Sequence, residues 1–566
     1  MKAQNVEFLK YPALALILFT SIHFAFAQST NRQIGTQFTV TADRLIRRPH
    51  SKPCVVSLFS NFQFAFFSQT NQNFSSTPPA NCSGPYGLVV LDVDFSENAG
   101  VQFDRTATMY IANTNVYFGT TPEPLSNATN AWHIEHDVTD YAALFASPQQ
   151  GTMVLQNCTT DCPPPYNTRL NGVFTVSAKL EFYPAGSGDD GHRHRAADLV
   201  LPMTQSNGSG GFNLPAFLTL PPSELTTTFN LPSNVQEAYL DVVSQSQQID
   251  EQWYACFPGD LSAINELYGC GNTDFRETEI SIDGQPAGIA PVSPWVFTGF
   301  LPDQWQPIPA VQTLSFIPYR VNLTPFAAVL SDGQPHTIAL SVFDQNYYFS
   351  EAASLLVYLD PHSSKVTGAV TRNTLTLPSP TVTENLQGTS TVTGTIGVSQ
   401  KRSFTIAGYI DTSHGRVSTT VSGQQNFKST QTIDFDTVNF TVLDQKTVVQ
   451  NKVDTTTTRS SGDDKEVTSQ SFSFPITVDV ILPVSSAEFG LTVATTQDYQ
   501  SSRLVWHDGD VEDFSSVNNS LSASDVSPAS SQQHYMSIDS GGRYDCEVAS
   551  ASNTLTSVSR GCRQDH

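Results

Sequence analysis

An internal repeat limits the folds that this chain can adopt. The segment VTDYAALFASPQQGTMVL (residues 138–155) and the segment LTPFAAVLSDGQPHTIAL (residues 323–340) share a pattern of Thr, an aromatic residue, Ala-Ala, two apolar residues, a polar turn and a second Thr. The two threonines are equally far apart in both segments. Upstream, FDRTATMYI (residues 103–111) parallels FRETEISID (residues 275–283), because each places Phe three residues before Thr. Matched segments in the same order predict two copies of one β module.

The rest of the chain also carries strand patterns. Short runs of β-branched and aromatic residues, such as GLVVLDVDF (residues 87–95), alternate with Pro, Gly, Asn and Asp, and helical periodicity is scarce. After residue 362 the composition shifts to Thr, Ser, Val and Gln in long alternating segments. We therefore predict an all-β chain. The predicted divisions are a signal peptide (1–27), a first β module (28–185), a linker or exposed loop (186–214), a second β module (215–362) and a Thr/Ser-rich C-terminal β domain (363–566).

The N-terminus has the pattern of a secretory signal peptide. Lys2 and Lys10 precede the apolar run PALALILF, and AFA (residues 25–27) supplies the small residues of a cleavage site before Gln28. No later apolar stretch reaches the length of about 20 residues that crosses a bilayer. We therefore expect a protein that is secreted, or that resides in a vacuole-like lumen, with no membrane association after signal removal.

Cysteines and sequons agree with this expectation. All eight cysteines follow the predicted signal peptide, and an even number in a secreted chain favours disulfides. We expect local pairs, with Cys546 and Cys562 holding the C-terminus. Eight sequons predict N-glycosylation on exposed asparagines: Asn73, Asn81, Asn127, Asn157, Asn207, Asn322, Asn439 and Asn518.

Charge and motif content exclude several functions. A net charge of −24 argues against a nucleic-acid partner, because neutralising phosphates requires a basic face. The patterns of serine hydrolases, zincins and P-loop proteins are absent.

The run HRHR (residues 192–195) lies in the predicted linker, where an exposed loop or a site of processing into two associated chains is favoured over a metal site. His133 and His136 precede a helical turn that Asp137 is expected to cap, so we assign them structural roles. We predict no metal and no cofactor.

The segment VQFDRTATMYIAN carries an acid and a base side by side. A strand through the whole segment would place Asp104 on the more polar face and Arg105 on the apolar face with Ala107 and Met109. Asp104 would then lie at a strand end, where a groove between modules presents side chains to a ligand. The alternative is a surface ion pair, which contributes only about 0 to 1 kcal/mol.

Two further charged groups lie in the second module. QQIDEQWYACFPGD places Asp250 and Glu251 beside Trp253, an arrangement common in sugar sites, although Trp253 fits a core position equally well. DFRETE adds Arg276 and Glu277. A carboxylate pair drawn from both modules can perform general acid–base catalysis if burial or a neighbouring charge raises one pKa.

In its motifs the chain resembles the peptide N-glycanases of the A type found in plants and fungi. The matching motifs occur in order up to about residue 360: PPANCSGPYGLVVLDVDF, GVQFDRTATMYIANTNVYFGTTPEP, HDVTDYAALF, RAADLVLPM, LPSNVQEAYLDVVSQSQQIDEQWY and FRETEISIDGQPAGIAPVSPWVFTGFLPDQWQPI. Several pieces also resemble the bacterial F-type enzyme, which has two adjacent eight-stranded jelly rolls with the active site between them. The resemblance implies two adjacent jelly-roll β-sandwich domains followed by a third β-rich domain.

The resemblance also implies site residues. The catalytic Asp of the F type begins the pattern Asp-Arg-x-Ala-x-x-Tyr, which starts here at Asp104 and Arg105. The second carboxylate of that enzyme would fall near Asn272, which is not an acid, so its role passes to Glu251 or Asp250.

The implied activity is hydrolysis of the β-aspartylglucosaminyl amide bond of N-glycopeptides and glycoproteins. The glycan would leave as a glycosylamine, Asn would become Asp, and no cofactor is needed. Asp104 and Glu251 are the expected catalytic residues, and the expected substrate-binding residues are Arg105, Asp250, Trp253, Arg276 and Glu277. The alternatives are a non-catalytic glycan-binding protein and a glycoside hydrolase that acts on N-glycans.

Overall fold

A computed structural model describes most of the chain after residue 38. The described residues are 39–78, 82, 84–124, 127–185, 195–206, 212–219, 223–259, 261, 270–299, 305–436, 441–481, 492–524, 527–539 and 542–562. The predicted signal peptide, His192 and the sequons at Asn81, Asn207 and Asn439 lie outside them.

The first eight strands form a jelly roll. They are β1 (Cys54–Phe64), β2 (Asn71–Ser75), β3 (Tyr86–Glu97), β4 (Thr106–Ile111), β5 (Thr114–Thr120), β6 (Asn130–Asp137), β7 (Gln150–Leu155) and β8 (Phe174–Pro184). One sheet has the order β1-β8-β3-β6 and the facing sheet has the order β2-β7-β4-β5. These are the two four-stranded sheets of a jelly roll, and apolar side chains from both sheets share one core.

A second jelly roll repeats this topology. Its strands are β9 (Leu199–Met203), β10 (Gln205–Ser206), β11 (Phe212–Asn213), β12 (Ala216–Thr219), β13 (Leu225–Phe229), β14 (Val235–Ser246), β15 (Glu277–Ile282), β16 (Gln285–Pro291), β17 (Tyr319–Asn322), β18 (His336–Val342) and β19 (Tyr348–Leu359). The sheet orders are β12-β19-β14-β17 and β13-β18-β15-β16, which match the first roll strand for strand. Strand β9 pairs with β19, so residues 199–203 of the predicted linker extend a sheet of the second roll.

The sequence repeat corresponds to equivalent strands of the two rolls. When the second roll is counted from β12, the first strand of its matching sheets, β4 and β15 are the fourth strands of their rolls and β7 and β18 are the seventh. Short helices precede the seventh strands: a 3-10 helix at Thr139–Ala146 in the first roll, and a 3-10 helix at Thr324–Phe326 followed by α1 (Ala327–Leu330) in the second. The prediction of one duplicated module is therefore confirmed. The other helices among the described residues are 3-10 turns at Phe67–Gln69, Tyr166–Thr168, Gln248–Asp250, Trp253–Ala255 and Arg560–Cys562.

The C-terminal region forms one twelve-stranded sheet. Its strands are β20 (Thr367–Asn373), β21 (Thr381–Gln387), β22 (Thr391–Thr412), β23 (Gly415–Asp436), β24 (Thr441–Ser461), β25 (Asp464–Ser473), β26 (Ile476–Ile481), β27 (Thr492–His507), β28 (Asp510–Ser524), β29 (Ser527–Asp539), β30 (Gly542–Ala551) and β31 (Thr554–Val558). Buried and exposed residues alternate along β23, as the alternating sequence predicts. Phe404 and Ile406 of β22 pack into the core of the second roll with Phe326 and Leu330. The all-β fold with a third β-rich domain is thus confirmed.

The two jelly rolls are packed tightly against each other. Phe118 of β5 lies in one apolar cluster with Val243 of β14 and with Trp295, Phe297 and Phe316 of the second roll. At another point of the junction, the Tyr141 hydroxyl donates to Asp241 Oδ2 at 2.7 Å. Apolar contact and buried hydrogen bonds together fix the relative position of the rolls.

The four disulfides are all local, as expected. They join Cys54 to Cys82, Cys158 to Cys162, Cys256 to Cys270 and Cys546 to Cys562. No helix among the described residues is long and apolar enough to span a membrane.

One expectation about the sequons is wrong. Asn73, Asn127 and Asn518 are exposed and Asn322 is half-buried, but Asn157 is buried. The Asn157 amide donates to the carbonyl oxygens of Phe64 and Gly172 at 2.8 and 3.0 Å. Because its nitrogen is committed to these bonds inside the first roll, Asn157 is not an accessible glycosylation site in the folded chain.

Candidate active site

Asp104 lies where the chain enters the fourth strand of the first roll. Residues 101–105 are not part of a strand, and β4 begins only at Thr106. Ala107 and Met109 are buried in the core as predicted. The predicted placement of Asp104 and Arg105 on opposite faces does not apply, because pleating starts after both residues.

Glu251 of the second roll approaches Asp104. It follows the 3-10 helix Gln248–Asp250, and both carboxyl groups are half-buried. Desolvation raises the pKa of Asp104 to about 6, against the lowering effect of the Arg105 charge. Desolvation and the Asp104 charge raise the pKa of Glu251 to about 7. The structure therefore brings together the two expected catalytic carboxylates, one from each roll.

Arg105 remains beside this pair. Its Nη2 donates to Gln102 Oε1 at 2.8 Å, and its guanidinium carbon lies 5.7 Å from the centre of the Phe103 ring. Its backbone N–H donates to Thr121 Oγ1 at 2.9 Å. Held in this way, the Arg105 charge lowers the pKa of Asp104 and favours its ionised form.

Glu97 is a third acid near the pair that sequence reasoning missed. It is the last residue of β3, it is buried, and neither of its carboxyl oxygens has a hydrogen-bond partner. Burial, together with the charges of Glu123 and Asp104, raises its pKa to about 10, against the effect of Arg105. Glu97 is therefore a neutral acid at physiological pH. The sequence signal that could have identified Glu97 is its place as a carboxylate at the end of β3, a strand that is otherwise mostly buried.

The second roll closes over Asp104 through a loop and two glutamines. The Thr106 hydroxyl donates to Gln245 Oε1 at 3.1 Å, and Gln247 Nε2 donates to Thr106 Oγ1 at 2.8 Å. Gly299 lies so close to Asp104 that an added Cβ would be 2.8 Å from its Cγ. The Asp104 carboxylate is thus positioned by atoms of both rolls.

An exposed aromatic pair includes Phe103, the residue that precedes Asp104 in the chain. Phe103 and Tyr166 are each 43% exposed, and their rings meet edge to face with centroids 5.6 Å apart. Ile249, two residues before Glu251, is also exposed. Exposed rings beside carboxylates provide an apolar surface and hydrogen-bond acceptors of the kind that hold a pyranose.

Three of the expected substrate-binding residues are buried below this surface, which corrects those predictions. Asp250 and Arg276 are fully buried and form an ion pair with 2.9 Å between Nη2 and Oδ1. Asp250 also accepts the backbone N–H groups of residues 346–348. Trp253 is fully buried in the core of the second roll, so the core interpretation holds.

Glu277 is also misassigned. It is fully buried, and its carboxylate pairs with Arg402 and accepts a hydrogen bond from Gln425 of the C-terminal sheet. Because that sheet covers the second roll at this point, Glu277 joins two domains and does not face a ligand.

Among the residues that the structure describes, two groups of side chains have the spacing to hold a metal ion, and neither includes Asp104 or Glu251. In the first, Asp92, His133 and Glu135 lie together, but Arg48 and Lys179 already supply positive charge to these carboxylates. The second group is Asp464, His507 and Asp508, which lie at hairpin ends of the C-terminal sheet.

The fold and the site together define a class of protein: two fused jelly rolls with a carboxylate pair at their junction that is suited to acid–base hydrolysis. A family model described as peptide N-acetyl-β-D-glucosaminyl asparaginase amidase A matches residues 45–375. This match spans more than half of the chain, which therefore belongs to that amidase family. The resemblance inferred from the sequence motifs is confirmed.

The chain is also similar to individual proteins and solved structures. Peptide-N4-(N-acetyl-β-glucosaminyl)asparagine amidase A of Prunus dulcis is 27% identical over 428 residues, which cover 72% of this chain and 71% of the relative. Among solved structures, PNGase F from Flavobacterium meningosepticum aligns with 13% identity and a TM-score of 0.36, over 55% of this chain and 96% of the other. PNGF-II aligns with 14% identity and a TM-score of 0.37, over 55% of this chain and 66% of its own length.

Proposed function

We propose that this protein is a glycoamidase that hydrolyses the β-aspartylglucosaminyl amide bond of N-glycopeptides and glycoproteins. The observation that carries the proposal is the pairing of Asp104 and Glu251 across the junction of the rolls, with pKa values raised to about 6 and about 7. Membership of the amidase family supports the same reaction.

The carboxylate pair divides the work of hydrolysis. Asp104 is the stronger acid of the pair and is ionised first. It removes a proton from a water molecule while the water oxygen bonds to the side-chain amide carbon of the glycosylated Asn. Glu251 then donates its proton to the amide nitrogen, and the C–N bond breaks. The glycan leaves as a glycosylamine and Asn becomes Asp. Arg105 keeps Asp104 ionised, and the Phe103–Tyr166 pair stacks on the sugar adjoining the bond.

Mass spectrometry of the peptide product tests this proposal. After incubation of an N-glycopeptide with the full chain, an Asp at the former Asn supports the amidase. A residual N-acetylglucosamine on Asn would mean a glycoside hydrolase, and an unchanged peptide would mean a glycan-binding protein. Either of the last two results overturns the proposal.

The pH dependence of kcat/KM should be bell-shaped, with its maximum between about 6 and about 7. Below this window the base is protonated, and above it the acid has lost its proton. The residual activity of Glu251→Gln should still fall at low pH, where Asp104 becomes protonated. It should no longer fall at high pH, because Gln has no proton to lose. A wild-type profile that is flat from about pH 5 to about pH 8 would contradict the assignment.

Phe103→Ala should raise KM about 3- to 10-fold with little change in kcat, because a stacked ring contributes about 0.5 to 1.5 kcal/mol. Initial rates on a short N-glycopeptide give both constants. Phe67→Ala, which removes another exposed phenylalanine of the first roll, is the matched control and should leave KM unchanged. Equal effects of the two substitutions would remove Phe103 from the site.

Gly299→Ala should lower kcat/KM at least about tenfold, because the new methyl group displaces the Asp104 carboxylate from its working position. Gly259→Ala serves as control, since its added Cβ meets Asn272 Oδ1 at an ordinary 3.6 Å. Full activity of Gly299→Ala would show that the loop does not constrain Asp104.

We further propose that the protein is secreted or resides in a vacuole-like lumen, without membrane association once the signal peptide is removed. The signal-like N-terminus and the four disulfides support this location. Processing at the basic residues of the segment 186–214 would yield two chains, which the packed junction of the rolls would hold together. Non-reducing electrophoresis and N-terminal sequencing of the purified protein test both points.

A further inference from the structure

A cavity separate from the carboxylate pair lies between the two jelly rolls and the C-terminal sheet. Its volume is about 920 Å³, and its walls include neither Asp104 nor Glu251, nor the Phe103–Tyr166 pair. The N-terminal segment, β6, β14, β17 and the C-terminal strands β24, β25, β27, β28 and β29 contribute to it. The volume falls within the range of about 300 to 1,000 Å³ that is usual for small-molecule sites.

A row of aromatic rings lines one wall. Tyr319 of β17 meets Phe472 of β25 at 5.3 Å, Phe472 meets Phe474 at 5.8 Å, and Phe474 meets Tyr499 of β27 at 5.2 Å. All four rings border the cavity. Tyr319 and Phe472 are half-buried and offer ring surface to the cavity, whereas Phe474 and Tyr499 are buried and pack against them. The exposed ring surface suits stacking on a sugar.

The charges of the cavity are paired, so the cavity favours a neutral ligand. Arg320 contacts Asp241 at 2.7 Å, Arg459 contacts Glu237 at 3.3 Å, and Arg503 pairs with Asp513. An anionic ligand would have to displace a carboxylate from each arginine. Paired arginines and carboxylates instead offer donors and acceptors side by side, which is what vicinal hydroxyl groups require.

Unused hydrogen-bonding capacity remains in these walls. The Nε atoms of Arg44 and Arg459 are buried without an acceptor. Asp43 borders the cavity and its side chain is exposed. Its carboxylate has lone pairs that can accept hydrogen bonds from the hydroxyl groups of a polar ligand.

We propose that this cavity is a second ligand site that binds a neutral oligosaccharide. The sugar rings stack on Tyr319 and Phe472, and their hydroxyl groups bond to the paired arginines and carboxylates. The site is independent of amide hydrolysis and would hold a glycoprotein through one glycan while another reaches Asp104. Two linked contacts of this kind raise the apparent affinity for multiply glycosylated substrates.

Binding to the full-length double variant Asp104→Asn/Phe103→Ala tests the proposal without interference from turnover or from the aromatic pair. The probe is a free neutral oligosaccharide of mannose and N-acetylglucosamine, titrated by calorimetry and counted by native mass spectrometry. We expect one bound oligosaccharide per chain. Adding Phe472→Ala should weaken binding at least about tenfold, equivalent to about 1.4 kcal/mol.

Ser515→Trp controls for misfolding, because it adds bulk to the cavity wall and removes no side-chain contact of the core. In the double variant it should abolish binding, and on its own it should leave hydrolysis of a short glycopeptide within about twofold of wild type. No binding to the double variant at millimolar oligosaccharide overturns the proposal. Undiminished binding after Ser515→Trp, or competition by inorganic phosphate, overturns it equally. If the wild-type protein does not hydrolyse the glycopeptide, the proposed function is wrong, and the proposal of a second ligand site is not affected.

Discussion

Asp104→Asn should lower kcat on an N-glycopeptide by at least about a hundredfold, because general base catalysis contributes about 10²- to 10⁴-fold and no other ionised carboxylate holds this position. Release of glycan measured by chromatography checks the rate. Asp510→Asn, on an exposed hairpin of the C-terminal sheet, is the isosteric control and should retain full activity. Activity of Asp104→Asn within tenfold of wild type would remove Asp104 from the mechanism.

The same variant should be at least as stable as the wild type at alkaline pH, which separates catalysis from folding. The folded-state pKa of Asp104 is raised from 3.8 to about 6, so the native state binds more protons than the unfolded state in this interval. The free energy of unfolding therefore decreases as pH rises through it, by about 1 to 3 kcal/mol for this group. Asn does not titrate, and we expect Asp104→Asn to gain stability relative to wild type as pH rises from about 4 to about 7 in chemical denaturation.

Arg276→Met should lower the free energy of unfolding by about 3 to 5 kcal/mol, because it leaves the buried Asp250 carboxylate without its cation. Arg276 also donates from Nη1 to the carbonyl oxygens of Thr273 and Phe275 at 2.7 and 3.0 Å, and these acceptors lose their donor. Denaturant unfolding of the purified variant measures the loss.

Arg416→Met is the matched control for this prediction. Arg416 pairs with Asp411 at 2.8 Å on the surface, where both side chains are about half exposed, and such pairs contribute about 0 to 1 kcal/mol. A loss of stability in Arg276→Met no greater than in the control would contradict the structural role of the buried pair. It would also reopen the assignment of Arg276 to substrate binding.

The sequence predicts the architecture well because the architecture is repeated. Equal spacing between two threonines marks the approach to the seventh strand of each roll, and the Phe-x-x-Thr motif marks the fourth. The strand pattern does not place Asp104 correctly, because the strand begins two residues after it. The sequence also leaves the partner of Asp104 open between Glu251 and Asp250.

Burial is what the sequence does not reveal. Asp250 and Glu251 are neighbours in the chain, yet one is enclosed with Arg276 and the other faces Asp104. Asp250 ends a 3-10 turn and Glu251 follows it as the C-cap, and the sequence of the turn has no periodicity to indicate which side chain faces inward. Glu277 is enclosed by a domain that lies more than a hundred residues away in the chain, through Arg402 and Gln425.

Hydrolysis in water enriched in ¹⁸O tests the central claim most directly, because it identifies the atom that water attacks. If the Asp104–Glu251 pair cleaves the amide bond, the peptide product carries Asp with one ¹⁸O in its new carboxyl group, and the Asp104→Asn variant forms none of it. A peptide that keeps N-acetylglucosamine on Asn, with ¹⁸O in the released sugar, would contradict the account.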